Sequence, residues 1–326
     1  MAPQSNSPRT HTADDGQQTA QGRSVTIYLW LATVPICWGF NFVCLKILYS
    51  AGFTVPAILS ARYIIMAISL GICLLVLEDD LSIDREDWKY LGIFALITVA
   101  IYQFVFAKGI EMTTATESSL LITTAPIWVF LITLILGTEQ YNARRMVGVV
   151  VGFTGVAMVI LGSPGTFSGG MDTNLAGDLV MIAAAILWAS YAVFSRPLLK
   201  KYSPMKLVAY MHILGSIIII PVGFNQLMAV EPWSMGIVPW LCILQYSLLA
   251  GVYAFMVWYR GVQTIGASQT MLFQYFVPIV ALVAAYLILK EEPTWVQIVG
   301  VLVTLSGVHA ARKHNSEETG VETGEI

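Results

Sequence analysis

Long apolar runs separated by short polar segments dominate this chain. A helix needs about 20 apolar residues to cross roughly 30 Å of hydrocarbon, and we count ten runs near that length. They lie near 27–48, 54–77, 88–110, 113–136, 144–162, 177–199, 204–227, 236–262, 265–289 and 294–311. The runs are continuous, whereas the strands of a membrane barrel alternate between apolar and polar residues. The pattern therefore predicts an all-α integral membrane protein with ten transmembrane helices.

Polar segments lie outside these runs. Residues 1–24 contain almost no large apolar side chains and the tail 312–326 is acidic, so both are predicted to be disordered and cytoplasmic. A linker loop is expected over 163–176. The first run spans more than about 20 residues and ends in Lys46 rather than in a small-residue cleavage site. This favours a retained helix over a signal peptide.

The composition indicates that lipid, not water, surrounds most of the chain. Apolar residues make up 57% and charged residues 11%, against roughly 45–50% (glycine included) and about 25% in soluble domains. A net charge of −3 offers no basic surface for nucleic acid. The four cysteines lie in apolar runs without metal or redox spacing and are interpreted as packing residues. No metal or other cofactor is predicted.

The positions of Lys and Arg predict the orientation of the chain. With the N-terminus inside, the cytoplasmic segments hold all of the 17 basic residues except Lys46, Arg62, Lys108 and Lys290. Such an excess of positive charge is typical of cytoplasmic segments. An even number of spans returns the chain to the side on which it started. We therefore expect both termini in the cytoplasm.

The second half of the chain repeats the first. An offset of 150 places Trp38 on Trp188, and an offset of 152 places Pro126 on Pro278. The same offset of 152 also aligns Gly109 with Gly261, Ala115 with Ala267, Glu139 with Glu291, Gly148 with Gly300, and Gly155 with Gly307. This register predicts two repeats, over 25–162 and 177–311. Because each repeat holds an odd number of spans, the copies cross the membrane in opposite directions, a recurring design of secondary transporters.

Several segments carry a family resemblance. They are PICWGFNFVCLKI (35–47), SARY (60–63), the pair TATESSLLITTAPIW (114–128) and GASQTMLFQYFVPIV (266–280), and the pair GTEQYNARRMVGVVVGFTGV (137–156) and LKEEPTWVQIVGVLVTLSGV (289–308). By these motifs the chain resembles the EamA family of the drug/metabolite transporter superfamily. The resemblance implies a ten-helix carrier of the inner (plasma) membrane, usually an exporter of amino acids, metabolites or drugs. It does not fix the substrate, because the family is broad.

Pro126 and Pro278 lie within the fourth and ninth runs. Each lacks an N–H, so the carbonyls of Ile122 and Gln274 lose a helical partner. We interpret the prolines as hinges at which kinked helices bend around a central path; kinks that neighbouring helices merely tolerate are the alternative. Small faces for close helix packing are predicted at Gly148, Gly152, Gly155, Gly300 and Gly307.

Ionisable groups within the spans are candidate transport residues, because a charge at the bilayer centre costs about 2.5–3.5 kcal/mol on insertion scales. Arg62 and its repeat mate His212 are candidates for holding a substrate carboxylate or relaying a proton. Glu117, whose repeat mate is Gln269, is a candidate acceptor for a substrate ammonium group or a proton. The alternatives are that Arg62 bonds to carbonyls on a peripheral helix and that Glu117 reaches the outer water.

Aromatic and amide side chains predict the wall of a substrate cavity. Trp38 and Asn41 are three residues apart on the first helix and therefore share a face, as do their mates on the sixth. Besides Glu117 and Gln269, the predicted substrate-binding residues are Trp38, Asn41, Gln103, Phe106, Trp188, Tyr191, Phe255 and Trp258. They would form a largely apolar pocket with a few polar points. An interfacial aromatic belt is the competing explanation, and it fits Trp88, Trp233 and Trp240 better.

These observations predict a secondary transporter, an exporter, that carries small organic metabolites by alternating access. Amino acids, aromatic or bulky apolar ones among them, and drugs are the candidate substrates. The sequence contains no G-x-S-x-G, H-E-x-x-H or Walker motif, which disfavours an enzyme or an ATP-driven pump. A non-transporting scaffold or sensor is the alternative. The expected partners are a small-molecule substrate and the lipid bilayer, with protons as a candidate coupling ion; monomer and homodimer both stay open.

Overall fold

A computed structural model describes residues 12–137, 143–162, 173–230, 236–265, 270 and 273–312. These residues are helical, without a β-strand among them. In chain order the helices are α1 Thr12–Ser50, α2 Val55–Leu77, α3 Asp87–Met112, α4 Ala115–Ile122, α5 Ala125–Ile135, α6 Ala143–Leu161, α7 Thr173–Phe194, α8 Arg196–Leu199, α9 Pro204–Met228, α10 237–265, α11 Val277–Leu289 and α12 Trp295–Arg312.

The apolar helices establish a multi-pass membrane protein. By length and composition, those that can cross a membrane are Thr26–Ser50, Val55–Leu77, Asp87–Met112, Ala115–Ile135, Pro204–Met228 and Ile237–Gly261. Shorter apolar helices occur at Met146–Met158, Leu175–Tyr191, Val277–Leu289 and Trp295–Gly307, where the other four runs were predicted. The all-helical class is thus confirmed, while the count of ten spans stays a prediction.

The first helix begins at Thr12, inside the segment 1–24 that was predicted to be disordered. Residues 12–24 are therefore helical in the structure, whereas disorder was predicted for them. No proline interrupts the chain between Thr12 and Pro35, so the backbone can continue the apolar helix into polar sequence. Residues 1–11 and 313–326 lie outside the described residues, as does most of the predicted linker.

The last helices of the two repeats, α6 and α12, pack against each other through glycines. A Cβ added at Gly155 would lie 2.6 Å from the carbonyl oxygen of Gly300, and one added at Gly307 would lie 2.6 Å from that of Gly148. The offset of 152 maps Gly148 onto Gly300 and Gly155 onto Gly307, so the two contacts are equivalent when the repeats are exchanged. A later residue in α6 contacts an earlier residue in α12, so the two helices are antiparallel. The predicted small faces are confirmed, and their register fits inverted repeats.

The second helices of the repeats, α2 and α9, show the same relation. The hydroxyl of Ser60 donates a 2.8 Å hydrogen bond to the carbonyl of Ile220. One turn earlier in α2, the carbonyl of Pro56 contacts Gly223, which leaves no room for a side chain there. A later residue in α2 again contacts an earlier residue in α9, because Pro56 meets Gly223 and Ser60 meets Ile220. Two corresponding helix pairs are therefore antiparallel.

The third helix of each repeat contains a π-helical segment at a matching position. These are Leu96–Ile101 in α3 and Gln245–Tyr253 in α10. In each, a hydroxyl donates to the carbonyl four residues earlier, from Thr98 at 2.6 Å and from Ser247 at 2.7 Å. Such bonds supply partners for carbonyls that an irregular helix leaves free within a membrane. A π turn also rotates the following side chains relative to a continuous α-helix.

The two prolines that the sequence predicts as hinges of kinked helices stand where the structure interrupts the helix, and their role as hinges stays a prediction. Pro126 and Pro278 lie in the first turn of new helices, α5 and α11. Proline suits this position because its φ is already helical and its missing N–H is not needed there. Before α5, the hydroxyls of Thr123 and Thr124 each donate to the carbonyl three residues earlier, at 2.6 and 2.7 Å. A 3₁₀ turn at Phe273–Phe276 precedes α11. Each span is thus broken rather than bent.

Candidate functional site

A central cavity lies between α1, α2, α3, α7 and α10, beside the breaks in front of α5 and α11. Its interior offers about 80 Å³ to a water-sized molecule. Its described lining residues are Trp38, Asn41, Phe42, Arg62, Tyr102, Gln103, Phe106, Ile122, Thr123, Trp188, Ala250, Phe255, Gln274 and Val277. The wall is mostly aromatic and aliphatic, with a few amide groups and one guanidinium among these residues.

Most of the predicted wall residues line this cavity. They are Trp38, Asn41, Gln103, Phe106, Trp188 and Phe255. Tyr191 and Trp258 do not, because their rings pack behind the wall, 5.3 Å from Trp188 and 5.1 Å from Trp38 between centroids. Gln269 lies outside the described residues. The binding roles of all these side chains stay predictions.

Several lining residues were not predicted from the sequence, although the sequence carried a signal for some of them. Ile122 and Gln274 stand four residues before the two prolines, where a carbonyl loses its helical partner, and both line the cavity. Phe42 follows Trp38 by one helical turn. Irregular backbone inside a membrane is tolerated where it lines a cavity. The positions of the helix breaks could therefore have pointed to Ile122 and Gln274.

Two tryptophans from corresponding helices meet at the cavity. The ring centroids of Trp38 and Trp188 lie 6.3 Å apart at 85°. Because these residues are repeat mates, their contact places the pseudo-two-fold axis at the cavity wall. The indole N–H of Trp38 donates a 3.0 Å hydrogen bond to the carbonyl of Ala250 in the π segment of α10. Phe255 completes the cluster, with its centroid 5.7 Å from Trp38 and 6.0 Å from Trp188.

Arg62 is buried beside the cavity and faces it. Its Nη1 donates a 2.8 Å hydrogen bond to Oε1 of Gln103, and its Nε lies 3.2 Å from Sδ of Met66. The guanidinium carbon lies 3.7 Å from the ring centroid of Tyr246, a cation–π contact worth about 2 kcal/mol when desolvated. Tyr246 in turn donates from its hydroxyl to Gln103 at 3.0 Å. Among the described residues Arg62 has no hydrogen bond to a backbone carbonyl, which was the alternative interpretation.

His212 lies behind the wall rather than in it. Its Nδ1 is 2.8 Å from the carbonyl oxygen of Val208 on the same helix. One face stacks on Tyr63, with centroids 6.1 Å apart, and the ring of Phe255 lies 5.3 Å away. In the described part of the chain, no hydrogen bond joins Arg62 to His212. The charge relay between them stays a prediction.

Glu117 belongs to a polar cluster that joins the two repeats. Its side chain is 0% exposed and does not reach the outer water. Thr113 donates to Oε2 of Glu117 at 2.6 Å and lies 3.1 Å from Oδ1 of Asp178. The amide of Gln297 donates to Oε1 of Glu117 at 2.9 Å. We call Thr113, Glu117, Asp178, Gln297 and Glu291 the interrepeat network.

Glu291 enters this network as a helix cap contributed by the other repeat. Its carboxylate accepts hydrogen bonds from the backbone N–H of Ala115 at 3.0 Å and of Thr116 at 3.1 Å, and from the Thr116 hydroxyl at 2.9 Å. A carboxylate at a helix N-terminus is favourable because it meets the positive end of the helix dipole. Lys46 interacts electrostatically with Glu117 and Glu291. The start of α4 is thus held by a residue that follows α11.

A second cavity, which offers about 370 Å³ to a water-sized molecule, lies beside the end of α2 and the beginning of α9. Its described lining residues are Trp30, Leu77, Glu78, Ser203, Pro204, Met205, Val208, Tyr253, Phe255, Met256, Val257, Tyr259 and Arg260. Phe255 lines both cavities. Nearby, Lys206 and Asp80 form a 2.8 Å ion pair. Hydrogen bonds from Lys206 and Ser82 hold the pKa of the Asp80 carboxyl below its usual value.

Comparisons with known proteins cover both repeats. The sequence profile of the EamA-like transporter family matches residues 25–161 and 175–311. An uncharacterized transporter of Archaeoglobus fulgidus is 31% identical over 236 residues, which are 70% of this chain and 78% of that protein. The uncharacterized transporter YetK of Bacillus subtilis is 24% identical over 284 residues, or 86% of this chain and 85% of YetK.

Two further comparisons concern a named activity and the fold. A Streptantibioticus cattleyicolor protein called a "probable terminal-alkyne amino-acid exporter" is 24% identical over 287 residues, or 85% of this chain and 90% of that protein. The crystal structure of another protein, 17% identical, superimposes with a TM-score of 0.63 over 90% of this chain and 99% of its own. At this identity the superposition shows a shared fold alone.

Proposed function

This chain belongs to the EamA-like transporter family, and on that premise we propose that it exports small organic metabolites by alternating access. It is a multi-pass membrane transporter. Our proposal adds ten spans, both termini in the cytoplasm, the inner (plasma) membrane as its location, and export as the direction. Aromatic or bulky apolar molecules, amino acids among them, are the proposed cargo.

The observation that carries this proposal is the contact between repeat mates at the cavity. Trp38 and Trp188 occupy corresponding positions and face each other there, while α6 and α12 pack with exchanged contacts. Two inverted halves around one site can interchange their conformations and so open that site to either side. A scaffold or sensor would not need a cavity at the axis between the repeats.

The cargo class follows from the cavity wall. Indole and phenyl rings line it together with aliphatic side chains, and amide groups supply polar points. Such a wall suits a molecule with a flat apolar body and a polar end. The similarity to a protein named as an amino-acid exporter is compatible with this assignment.

Transport itself is tested by flux. Cells that overexpress the chain should release amino acids or other metabolites faster than cells with an empty vector, and proteoliposomes should show substrate counterflow. Absence of any substrate-dependent flux in both systems, with folded protein present, would favour the scaffold or sensor.

Phe255→Cys tests which face of the membrane the cavity opens to. The thiol should react with a membrane-impermeant reagent added to the cytoplasmic face, because Phe255 also lines the second cavity beside the ends of α2 and α9. Reaction from the outer face should be much slower, because the second cavity lies beside the loop that follows α2, which we propose to be cytoplasmic. Labelling rates in inside-out and right-side-out vesicles measure this, with the native cysteines replaced by serine. Equal rates from both faces would contradict the assignment.

Glu117→Gln tests the coupling proposed for protons. A hydrogen bond to a charged group contributes about 1.5–3 kcal/mol, so we expect reduced transport and a weaker dependence on external pH. Glu111→Gln is the matched control, because Glu111 pairs with Lys108 at the surface instead of joining the network. Transport by the Glu117 variant that equals the parent across the pH range would remove Glu117 from the mechanism.

A further inference from the structure

The charge of the central cavity is unbalanced. Arg62 lines it, and the other polar lining side chains that the structure describes are amides, hydroxyls and indoles, none of which carries negative charge. In the described residues no carboxylate lies within ion-pair distance of Arg62, whose hydrogen bonds go to Gln103 and Met66. A buried cation without a counter-charge is costly in a membrane and is rarely without a function.

The contacts of Arg62 orient it without neutralising it. Gln103 presents one amide oxygen, and the hydroxyl of Tyr246 already donates to that oxygen. The ring of Tyr246 packs against the guanidinium. N–H donors at the edge of the guanidinium plane therefore stay available to a ligand. A guanidinium edge matches the two oxygens of a carboxylate in a bidentate geometry. This arrangement is that of a prepared anion site.

A second unpaired group lies on the same wall. Oδ1 of Asn41 is buried and has no hydrogen-bond partner in the described residues. An unmade hydrogen bond at a buried oxygen is unfavourable, and a donor on a bound molecule would satisfy it. The wall therefore offers an anion-binding cation at Arg62 and an acceptor at Asn41, with aromatic surface from Trp38 and Trp188.

We infer that the central cavity binds an amphipathic organic anion whose carboxylate meets the guanidinium of Arg62 and whose apolar body lies against the aromatic wall. An N–H or O–H of the same molecule donates to Asn41. The inference rests on the proposed function and names the charge class of its cargo. Organic cations are excluded, because the described lining offers an ammonium group no carboxylate and places a fixed positive charge beside it.

Three indoles that differ in the charge of one group test the inference. Indole-3-acetate is an anion, indole-3-acetamide is neutral, and tryptamine is a cation at pH 7.5. Proteoliposomes containing the full chain should take up indole-3-acetate at least about tenfold faster than tryptamine after subtraction of empty liposomes. Arg62→Met should lower indole-3-acetate uptake by at least about tenfold and leave indole-3-acetamide uptake within about twofold.

Control variants separate the anion site from folding. Arg62→Lys keeps the charge but loses the fork geometry, so uptake of the anion should lie between those of the parent and Arg62→Met. Lys108→Met removes a cation at the surface, away from the cavity, and should leave the preference unchanged. Retained uptake of indole-3-acetamide shows that the Arg62 variants are folded.

Binding of indole-3-acetate to the purified protein distinguishes the anion site from the proposed transport. Quenching of the fluorescence of the cavity tryptophans measures this binding. Uptake that favours tryptamine, or anion uptake unaffected by Arg62→Met, would overturn the anion site while leaving a carrier. Indole-3-acetate binding that is lost in Arg62→Met, with no uptake of any indole, would support the site and contradict transport.

Discussion

Gly307→Val is expected to prevent α6 and α12 from closing, so that little folded protein is recovered. A Cβ at this position would collide with the backbone nitrogen of Gly152 and lie 2.6 Å from the carbonyl oxygen of Gly148. Backbone atoms cannot rotate away as a side chain can, so the helices themselves must separate. Overpacking costs about 1–3 kcal/mol and more where the backbone shifts. Size-exclusion profiles and thermal melting in detergent measure the loss.

Gly71→Val is the matched control for this substitution. Gly71 is also within a helix, but a Cβ there would meet nothing within 4 Å. Both variants lose the same glycine freedom and gain the same side chain, so the difference between them reports the contact. Gly155→Val should reproduce the defect of Gly307→Val, because the two glycines exchange places under the repeat relation. Similar melting of the Gly71 and Gly307 variants would contradict the packing account.

Glu291→Ala is expected to loosen the start of α4 and lower the thermal stability. The carboxylate accepts two backbone hydrogen bonds, from Ala115 and Thr116, and one from the Thr116 hydroxyl. A hydrogen bond to a charged group contributes about 1.5–3 kcal/mol, and the helix dipole adds roughly 0.3–1 kcal/mol. Hydrogen–deuterium exchange of the peptide covering 113–118 should accelerate. Its amides are protected across the repeat boundary, so this exchange reports the interrepeat network directly.

The neighbouring Glu292→Ala provides the control for this change. Glu292 is exposed and next in sequence, so it tests whether removing any acidic group from this loop has the same effect. We expect exchange over 113–118 to match that of the parent. If the Glu291 variant also exchanged like the parent, the cap would not be holding α4 in the membrane.

The features that duplication leaves in a sequence were predictable. Trp38 and Trp188 correspond at an offset of 150 and the glycines of α6 and α12 at an offset of 152, so both correspondences could be read without coordinates. The apolar runs likewise predicted the helical class, because a lipid-exposed span must be apolar along its whole length. Such signals are local or periodic, and they survive in one sequence.

What depends on how helices rotate against each other was not predictable. Tyr191 and Trp258 face neighbouring helices instead of the cavity, although their spacing matched that of the lining residues. The burial of Glu117 depends on Asp178 and Gln297, which are distant in sequence. The breaks before Pro126 and Pro278, predicted as kinks, depend on how the adjacent hydroxyls and turns replace lost hydrogen bonds. Neighbouring helices decide these outcomes, and no local pattern records them.

The π segments at matching positions in α3 and α10 have an evolutionary implication. Leu96–Ile101 and Gln245–Tyr253 are widened turns at equivalent places in α3 and α10, and an irregularity of this kind is rare in helices. A feature common to both copies was present before the gene doubled. The ancestral five-helix unit therefore already had its widened turn, and it could have formed the glycine contact of α6 and α12 only by pairing antiparallel, about a two-fold axis, with a second copy of itself.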